Sequence, residues 1–274
     1  MPEGPEIKRA ADKLARILMG RKPRDIFFAF DHLKSYENDL RGDRIVSVRS
    51  RSKAMLIGFE QGLTIYSHNQ LYGQWRTSKS GHLPDIGRQL RLALHTDKHS
   101  ALLYSASDIE VLDKDGLQAH KYLCKLGIEV LSLETTPEDI KHQLSSDTFR
   151  RRRLAGLLLD QKCLAGLGNY LRSEILFVAG LRAEQRPMDL SEAQLDRLSH
   201  AALDITRRAY RTGGVTVEDV VVAKIKEGGR RRRWEYRHYV FGRDGSPCRR
   251  CGDTIVRSDA AGRRCYHCPT CQPA

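Results

Sequence analysis

Residues 248–271 read CRRCGDTIVRSDAAGRRCYHCPTC. Cys248-x2-Cys251, sixteen intervening residues and Cys268-x2-Cys271 give the spacing of a four-thiolate metal site. Each Cys-x2-Cys forms a tight knuckle, so that two thiolates from each pair face one ion. Cys265-x2-Cys268 is a competing pair, with His267 beside it. Its gap from Cys251 is only thirteen residues, short of the roughly fifteen to twenty usual for such sites, so Cys265 is read as a bystander. A segment this small holds little core without a staple. One structural Zn2+ on Cys248, Cys251, Cys268 and Cys271 is therefore expected, because four thiolates leave no open position for substrate or water. Gly262-Arg263-Arg264 is placed on the loop between the knuckles, and Arg243, Arg249, Arg250 and Arg257 add positive charge nearby. A ribbon with exposed arginines suits nucleic acid; the alternative is a merely soluble basic surface.

Upstream of the ribbon the texture is helical. Thr136-Pro137-Glu138-Asp139 is a helix start, with Pro in the first turn and acids at the positive end of the dipole. Ser191 followed by Glu192 and Ala193 opens the last long helix, and Gly213-Gly214 ends the helical zone. Between them, Gly166-Leu167-Gly168-Asn169-Tyr170 separates two helical stretches, Leu154–Cys163 and Leu171–Val178. The glycines would let backbone amides approach a phosphate, with Asn169 adding a side-chain donor; a tight turn needing glycine for steric reasons explains them equally well. Arg150–Arg153 has the look of a solvated face. A second glycine pair, Gly228-Gly229, precedes the basic run Arg230–Arg233.

Further toward the N-terminus the pattern is β-rich. Short runs at Ile26–Phe30, Arg44–Val48, Ala54–Phe59, Leu63–Ser67, Leu90–Leu94 and Ala101–Tyr104 are separated by turn residues, which points to a sandwich or barrel. Before them Ile7, Ala10, Ala11, Leu14, Ile17 and Leu18 recur at helical spacing and Gly20 stops the pattern. The expected fold is α+β and multidomain. An N-terminal β-sandwich with a leading helix (1–130) is followed by a helical domain (131–225) and a metal module (234–274).

The 274 residues carry 47 Lys+Arg against 34 Asp+Glu, a formal charge of +13, so a polyanionic partner is expected. No apolar run approaches the ~20 residues of a spanning helix, and no signal-peptide pattern is visible. Cytoplasmic residence follows. Seven cysteines, five of them in the last 27 residues, favour metal over disulfides in a reducing compartment.

Three further places carry chemistry. The chain opens Met1-Pro2-Glu3, and a Met before so small a residue is normally trimmed. Pro2 then supplies a secondary terminal amine, with Glu3 beside it. An α-amino group has a pKa of roughly 7.7–8 against ~10.4 for lysine, which makes it a usable nucleophile without deep burial. Ser67-His68-Asn69-Gln70-Leu71-Tyr72-Gly73 closes a strand. Leu71 and Tyr72 are either sheet core or an exposed wedge of the kind pushed into a base stack. Lys53 stands just before a strand.

Taken together, Pro2-Glu3, Lys53 before a strand, Gly168-Asn169 in a helical hairpin and a four-Cys ribbon with Arg263 resemble the formamidopyrimidine-DNA glycosylase and endonuclease VIII family of DNA repair enzymes. The segments MPEGPEI, YSHNQLYG, LLYSASDIE and LAGLGNYLRSEIL look most like the bacterial endonuclease VIII branch. The resemblance runs from Met1 to Cys271. It implies a helix–two-turns–helix domain and a zinc ribbon, with damaged duplex DNA as partner, no membrane, no organic cofactor and a monomeric state. It also implies a bifunctional glycosylase and lyase that excises oxidised pyrimidines and nicks the strand by β,δ-elimination in base excision repair. On this resemblance Pro2 is the nucleophile, Glu3 handles protons on the sugar, and Lys53 and Arg263 grip phosphates near the lesion. Lys53 also serves as a proton donor in elimination. Gln70, Leu71 and Tyr72 fill the void, and Lys125 and Asn169 clamp phosphates. Position 125 is often arginine in this group, and lysine keeps the charge without the bidentate geometry. The segment 213–233, with Tyr239-Val240-Phe241-Gly242-Arg243, looks more like the purine-type branch, where a base-capping loop lies. The alternatives are an oxidised-purine preference with the same chemistry, and a non-catalytic zinc-ribbon DNA-binding protein.

Overall fold

The computed structural model describes residues 2–273; the expected trimming of Met1 falls outside them. They form two compact units, the first ending at Lys125 and the second beginning at Leu126.

The first unit begins with helix α1 (Gly4–Leu18), which buries Ile7, Ala11, Leu14 and Leu18 along one face. The Glu6 carboxylate accepts a hydrogen bond from the Glu3 backbone N–H at 3.0 Å, satisfying a donor at the helix start. Eight strands follow: β1 (Asp25–Phe28), β2 (Ile45–Arg51), β3 (Ala54–Phe59), β4 (Thr64–His68), β5 (Gln74–Lys79), β6 (Leu90–His95), β7 (His99–Tyr104) and β8 (Asp108–Leu112). They pair antiparallel into two four-stranded sheets, ordered β1-β6-β7-β5 and β2-β3-β4-β8. Alternation along each strand sends one set of side chains into a shared core. In β3, Met55, Ile57 and Phe59 join Phe28, Leu94 and Leu103 of the other sheet, with Leu14 and Leu18 of α1 closing one end. The opposite face of β3, Ala54 and Leu56, is also buried, beneath Leu117, Tyr122 and Leu123. This double cover explains why β3 reads as an unbroken apolar run rather than an alternating one.

The second unit is helical and then ribbon-like. Thr136 caps the helix Pro137–Ser145, its hydroxyl accepting from the Asp139 N–H at 3.2 Å. The helix expected over Leu154–Cys163 stops at Leu157. Asp160 turns the chain there instead, accepting from the Lys162 N–H at 2.9 Å and from Arg152 at 2.6 Å. The helix Asn169–Ala179 ends on Gly180 at φ 70°, and the long helix Glu192–Thr212 runs from its Ser191 cap to Gly213 at φ 73°. The hairpin strands Val256–Ala260 and Arg263–His267 are joined by Ala261-Gly262. Both turn residues have positive φ, 52° and 69°, the pattern of a tight two-residue hairpin. Arg263 and Arg264 therefore begin a strand rather than riding the loop between the knuckles, because two residues suffice to close it.

The ribbon has no separate core. Ile255, Tyr266 and Cys268 pack with Phe177, Val217, Tyr239 and Val240. Two fully buried charged residues of the helix Asn169–Ala179 bolt it on. The Glu174 carboxylate accepts from the backbone N–H groups of Tyr239, Val240 and Phe241 at 2.8–2.9 Å and from the Thr216 hydroxyl. Arg172 reaches the hairpin on the other side. Among the described residues no helix is long and apolar enough to cross a membrane.

Candidate active site and nucleic-acid interface

Pro2 is half-buried immediately before α1, and Glu3 is its N-cap, only 4% exposed. Two of the first helical amides, those of Glu6 and Ile7, bond the Glu3 carbonyl at 3.1 Å, so the backbone beside Pro2 is fixed. The helix itself packs on β2 and β3, the two strands whose connecting turn carries Lys53.

That turn is only Ser52-Lys53, since Arg51 pairs with Ala54. Ser52 adopts φ 56°, a left-handed conformation that usually calls for glycine. Ala54 pairs in turn with His68 on β4, which brings Lys53 beside the segment 69–73. Burial holds the His68 imidazole below its ordinary pKa; neighbouring Asp108 works against this and the Lys53 charge adds to it.

The segment 69–73 is a built projection. Gln70 sits at φ 50° and donates its N–H to His68 Nδ1 at 3.1 Å, and its side-chain oxygen accepts from the Ser107 hydroxyl at 2.7 Å. Arg88 donates to the Tyr72 carbonyl at 2.5 Å, and Gly73 N–H closes back on the Asn69 carbonyl at 2.7 Å. A Cβ on Gly73 would meet that carbonyl at 2.5 Å, so only glycine closes the loop. Leu71 and Tyr72, held at the tip, are 51% and 66% exposed. They are exposed and are not sheet core. Lys125, at the end of the short helical turn Leu123–Lys125, is exposed on the same unit.

Asn169 and Arg263 belong to the second unit and meet through a residue that the sequence reading did not single out. The buried Arg172 guanidinium donates to the Asn169 side-chain oxygen at 2.9 Å and to the carbonyls of Arg263 and Arg264 at 3.3 and 3.0 Å. It also donates to the carbonyls of Ala155 and Ala260 at 2.9 Å each. The Asn169 amide itself donates to the Arg264 carbonyl at 3.0 Å. The Gly-Asn turn and the arginine hairpin are thus one rigid piece, which leaves the Arg263 and Arg264 side chains exposed. Nothing in a charged residue within LAGLGNYLRSEIL announces full burial; its position among helix residues buried on every side is the only hint.

The sulfur atoms of Cys248, Cys251, Cys268 and Cys271 lie within 4.8 Å of one another, and this cluster can hold a metal ion. Cys251 and Cys268 are 3.4 Å apart, and Cys248 and Cys271 are 3.8 Å apart. The Arg250 and Cys271 N–H groups point at the Cys248 and Cys268 sulfurs at 3.4 and 3.5 Å. Cys265 is buried with its sulfur toward the Ser173 hydroxyl at 3.9 Å, outside the cluster.

Comparison with known proteins gives a consistent match. Residues 1–107 match the model of the formamidopyrimidine-DNA glycosylase N-terminal domain, and residues 126–221 match that of the formamidopyrimidine-DNA glycosylase H2TH domain. Endonuclease 8 of Escherichia coli O17:K52:H18 is 49% identical over 272 residues, covering 99% of this chain and 100% of that protein. Endonuclease 8 of Salmonella arizonae is 48% identical over the same length and coverage. Among solved structures, the Lactococcus lactis formamidopyrimidine-DNA glycosylase in complex with abasic-site DNA superimposes with a TM-score of 0.81 at 22% identity, covering 99% of this chain and 100% of that one. The same enzyme with oxidised-pyrimidine DNA gives 0.81 at 21% identity, covering 100% of both chains.

Proposed function

The chain belongs to the formamidopyrimidine-DNA glycosylase family, and from that premise we propose that it is a bifunctional DNA glycosylase and AP lyase of base excision repair, acting on oxidised pyrimidines in duplex DNA. The observation that carries this reading is the head of α1, where Pro2 adjoins a carboxylate that is 4% exposed. A terminal amine there is a usable nucleophile at neutral pH, and the carboxylate beside it can carry protons.

The Pro2 nitrogen attacks C1′ of the damaged nucleotide as the bond to the base breaks; the base leaves with that electron pair and takes up a proton, matching the one that the amine loses. Opening of the C1′–O4′ bond, with Glu3 handling the proton that O4′ takes up, gives an iminium between Pro2 and the sugar. The iminium acidifies C2′–H; loss of that proton expels the 3′ phosphate, loss of the C4′ proton then expels the 5′ phosphate, and water hydrolyses the remaining iminium to free the Pro2 amine. In this scheme Lys53 grips phosphate and supplies a proton during elimination. Arg263, Lys125 and Asn169 bind the backbone, while Gln70, Leu71 and Tyr72 enter the space left by the everted nucleotide.

Cys248, Cys251, Cys268 and Cys271 hold a structural zinc in this reading. At a Zn–S distance of ~2.3 Å the edges of a tetrahedron are about 3.8 Å, and the Cys251–Cys268 and Cys248–Cys271 pairs stand at 3.4 and 3.8 Å. A zinc ion there would brace the hairpin that bears Arg263.

The preference for pyrimidines rests on 49% identity to an Endonuclease 8 across the full chain. Side-by-side single-turnover rates on thymine glycol, dihydrouracil and 8-oxoguanine duplexes test it. Faster excision of both pyrimidines is expected; faster 8-oxoguanine excision would shift the assignment to the purine branch.

A further inference from the structure

Two groups that the proposed reaction uses on the first unit, Lys53 and Gln70, connect to one side chain that it does not use, Tyr122, and a third, Lys125, follows it closely in the chain. Its hydroxyl lies 2.9 Å from the Ser52 hydroxyl and accepts the Lys53 backbone N–H at 3.4 Å. Both residues of the lysine-bearing turn therefore contact one phenol. The Tyr122 ring stands edge-on to His68 at 5.5 Å, and His68 accepts the N–H of Gln70 at the base of the wedge. Tyr122 immediately precedes the turn Leu123–Lys125 that carries the third group.

The turn has a reason to need such a partner. Ser52 is buried at 7% exposure in a left-handed conformation that disfavours any side chain. Its hydroxyl, taken out of water, requires a hydrogen-bond partner, and Tyr122 provides one while bonding the next amide as well. The direction in which the lysine stem leaves the sheet is set by that amide.

We propose that Tyr122 is a positioning residue for Lys53, its hydroxyl fixing the Ser52-Lys53 turn so that the lysine ammonium meets the eliminating phosphate. The inference rests on the role given to Lys53 above. Tyr122→Phe keeps the ring against His68 and removes the hydroxyl contacts to Ser52 and Lys53. On a duplex with a preformed abasic site, strand cleavage should fall about tenfold in kcat, the scale of a lost buried hydrogen bond, with KM changed by less than about twofold.

The decisive comparison is made in a Lys53→Ala background, where Tyr122→Phe should cause no further loss. An equal loss in both backgrounds, or wild-type cleavage by Tyr122→Phe, overturns the inference. If Lys53→Ala itself cleaves at the wild-type rate, it is the reading of Lys53 that fails. Ser52→Gly removes the same hydroxyl pair with a residue suited to the turn. It should lower kcat in the same direction, and it decides the matter if Tyr122→Phe does not fold.

Discussion

Arg172 Nη2 stands 2.9 Å from the side-chain oxygen of Asn169 and 3.0 Å from the Arg264 carbonyl, so one buried guanidinium holds the Gly-Asn turn and the arginine hairpin in fixed relation. Arg172→Lys keeps the charge but loses the planar fork that serves five oxygens at once. Orphaned carbonyls should lower stability by roughly 2–5 kcal/mol, seen in denaturant unfolding. Affinity for a duplex with an abasic-site analogue should drop about tenfold or more, while bound metal stays unchanged. Unaltered affinity would show that the turn and the hairpin do not act together.

Leu71 is exposed on a loop that its own backbone and Ser107 hold in shape. Leu71→Ala should therefore change stability by no more than about 0.5 kcal/mol. It should slow removal of a damaged base by a larger factor than it slows cutting at a ready-made abasic site, since only the first must hold a base out of the stack. Equal effects on the two substrates would speak against a wedge.

His238 is buried against Tyr170 and Phe241. Burial, and then the charges of Arg237, Arg233 and Arg249, push its pKa down to about 3. The unfolded chain takes up this proton near pH ~6.5 and the folded chain does not. Stability present above that pH is thus lost as pH falls toward 3, by about 1.4 kcal/mol per unit. Urea unfolding at pH 7, 6, 5 and 4 should show a shallower decline for His238→Asn than for the wild type; parallel curves would contradict the assignment.

Metal removal should be felt at the ribbon first. Because Cys268, Ile255 and Tyr266 share a core with Phe177 and Val240, chelation should lower the unfolding midpoint of the whole second unit and abolish DNA binding. Elemental analysis should find one zinc per chain beforehand. A metal-free protein of unchanged midpoint would make the ion dispensable.

Much of this was legible in the sequence for physical reasons that differ from place to place. The caps at Thr136 and Ser191 and the four-Cys spacing are local signals, and they survive folding unchanged. Strand β3 lies within one sheet and is covered on both faces, so its composition alone betrays it. Strand β5, QWRTSK, leaves little signal because it is a half-exposed edge with no clear alternation. Strand β8 offers only Ile109 and Val111 to the core between acidic neighbours. Arg172, Glu174 and Tyr122 are not legible because most of their partners lie tens of residues away in the chain, which no local pattern encodes. The exposure of Leu71 depended likewise on loop closure by Asn69 and Gly73.

The central claim is that the amine of Pro2, freed by loss of Met1, is the nucleophile. Borohydride reduction during reaction with thymine-glycol duplex should trap a covalent complex. Protease digestion and mass spectrometry of that complex then locate the sugar remnant. The account predicts that the adduct lies on the N-terminal peptide at Pro2, in chains lacking Met1. An adduct on Lys53 or another lysine, or a trapped complex from chains that retain Met1, would contradict it.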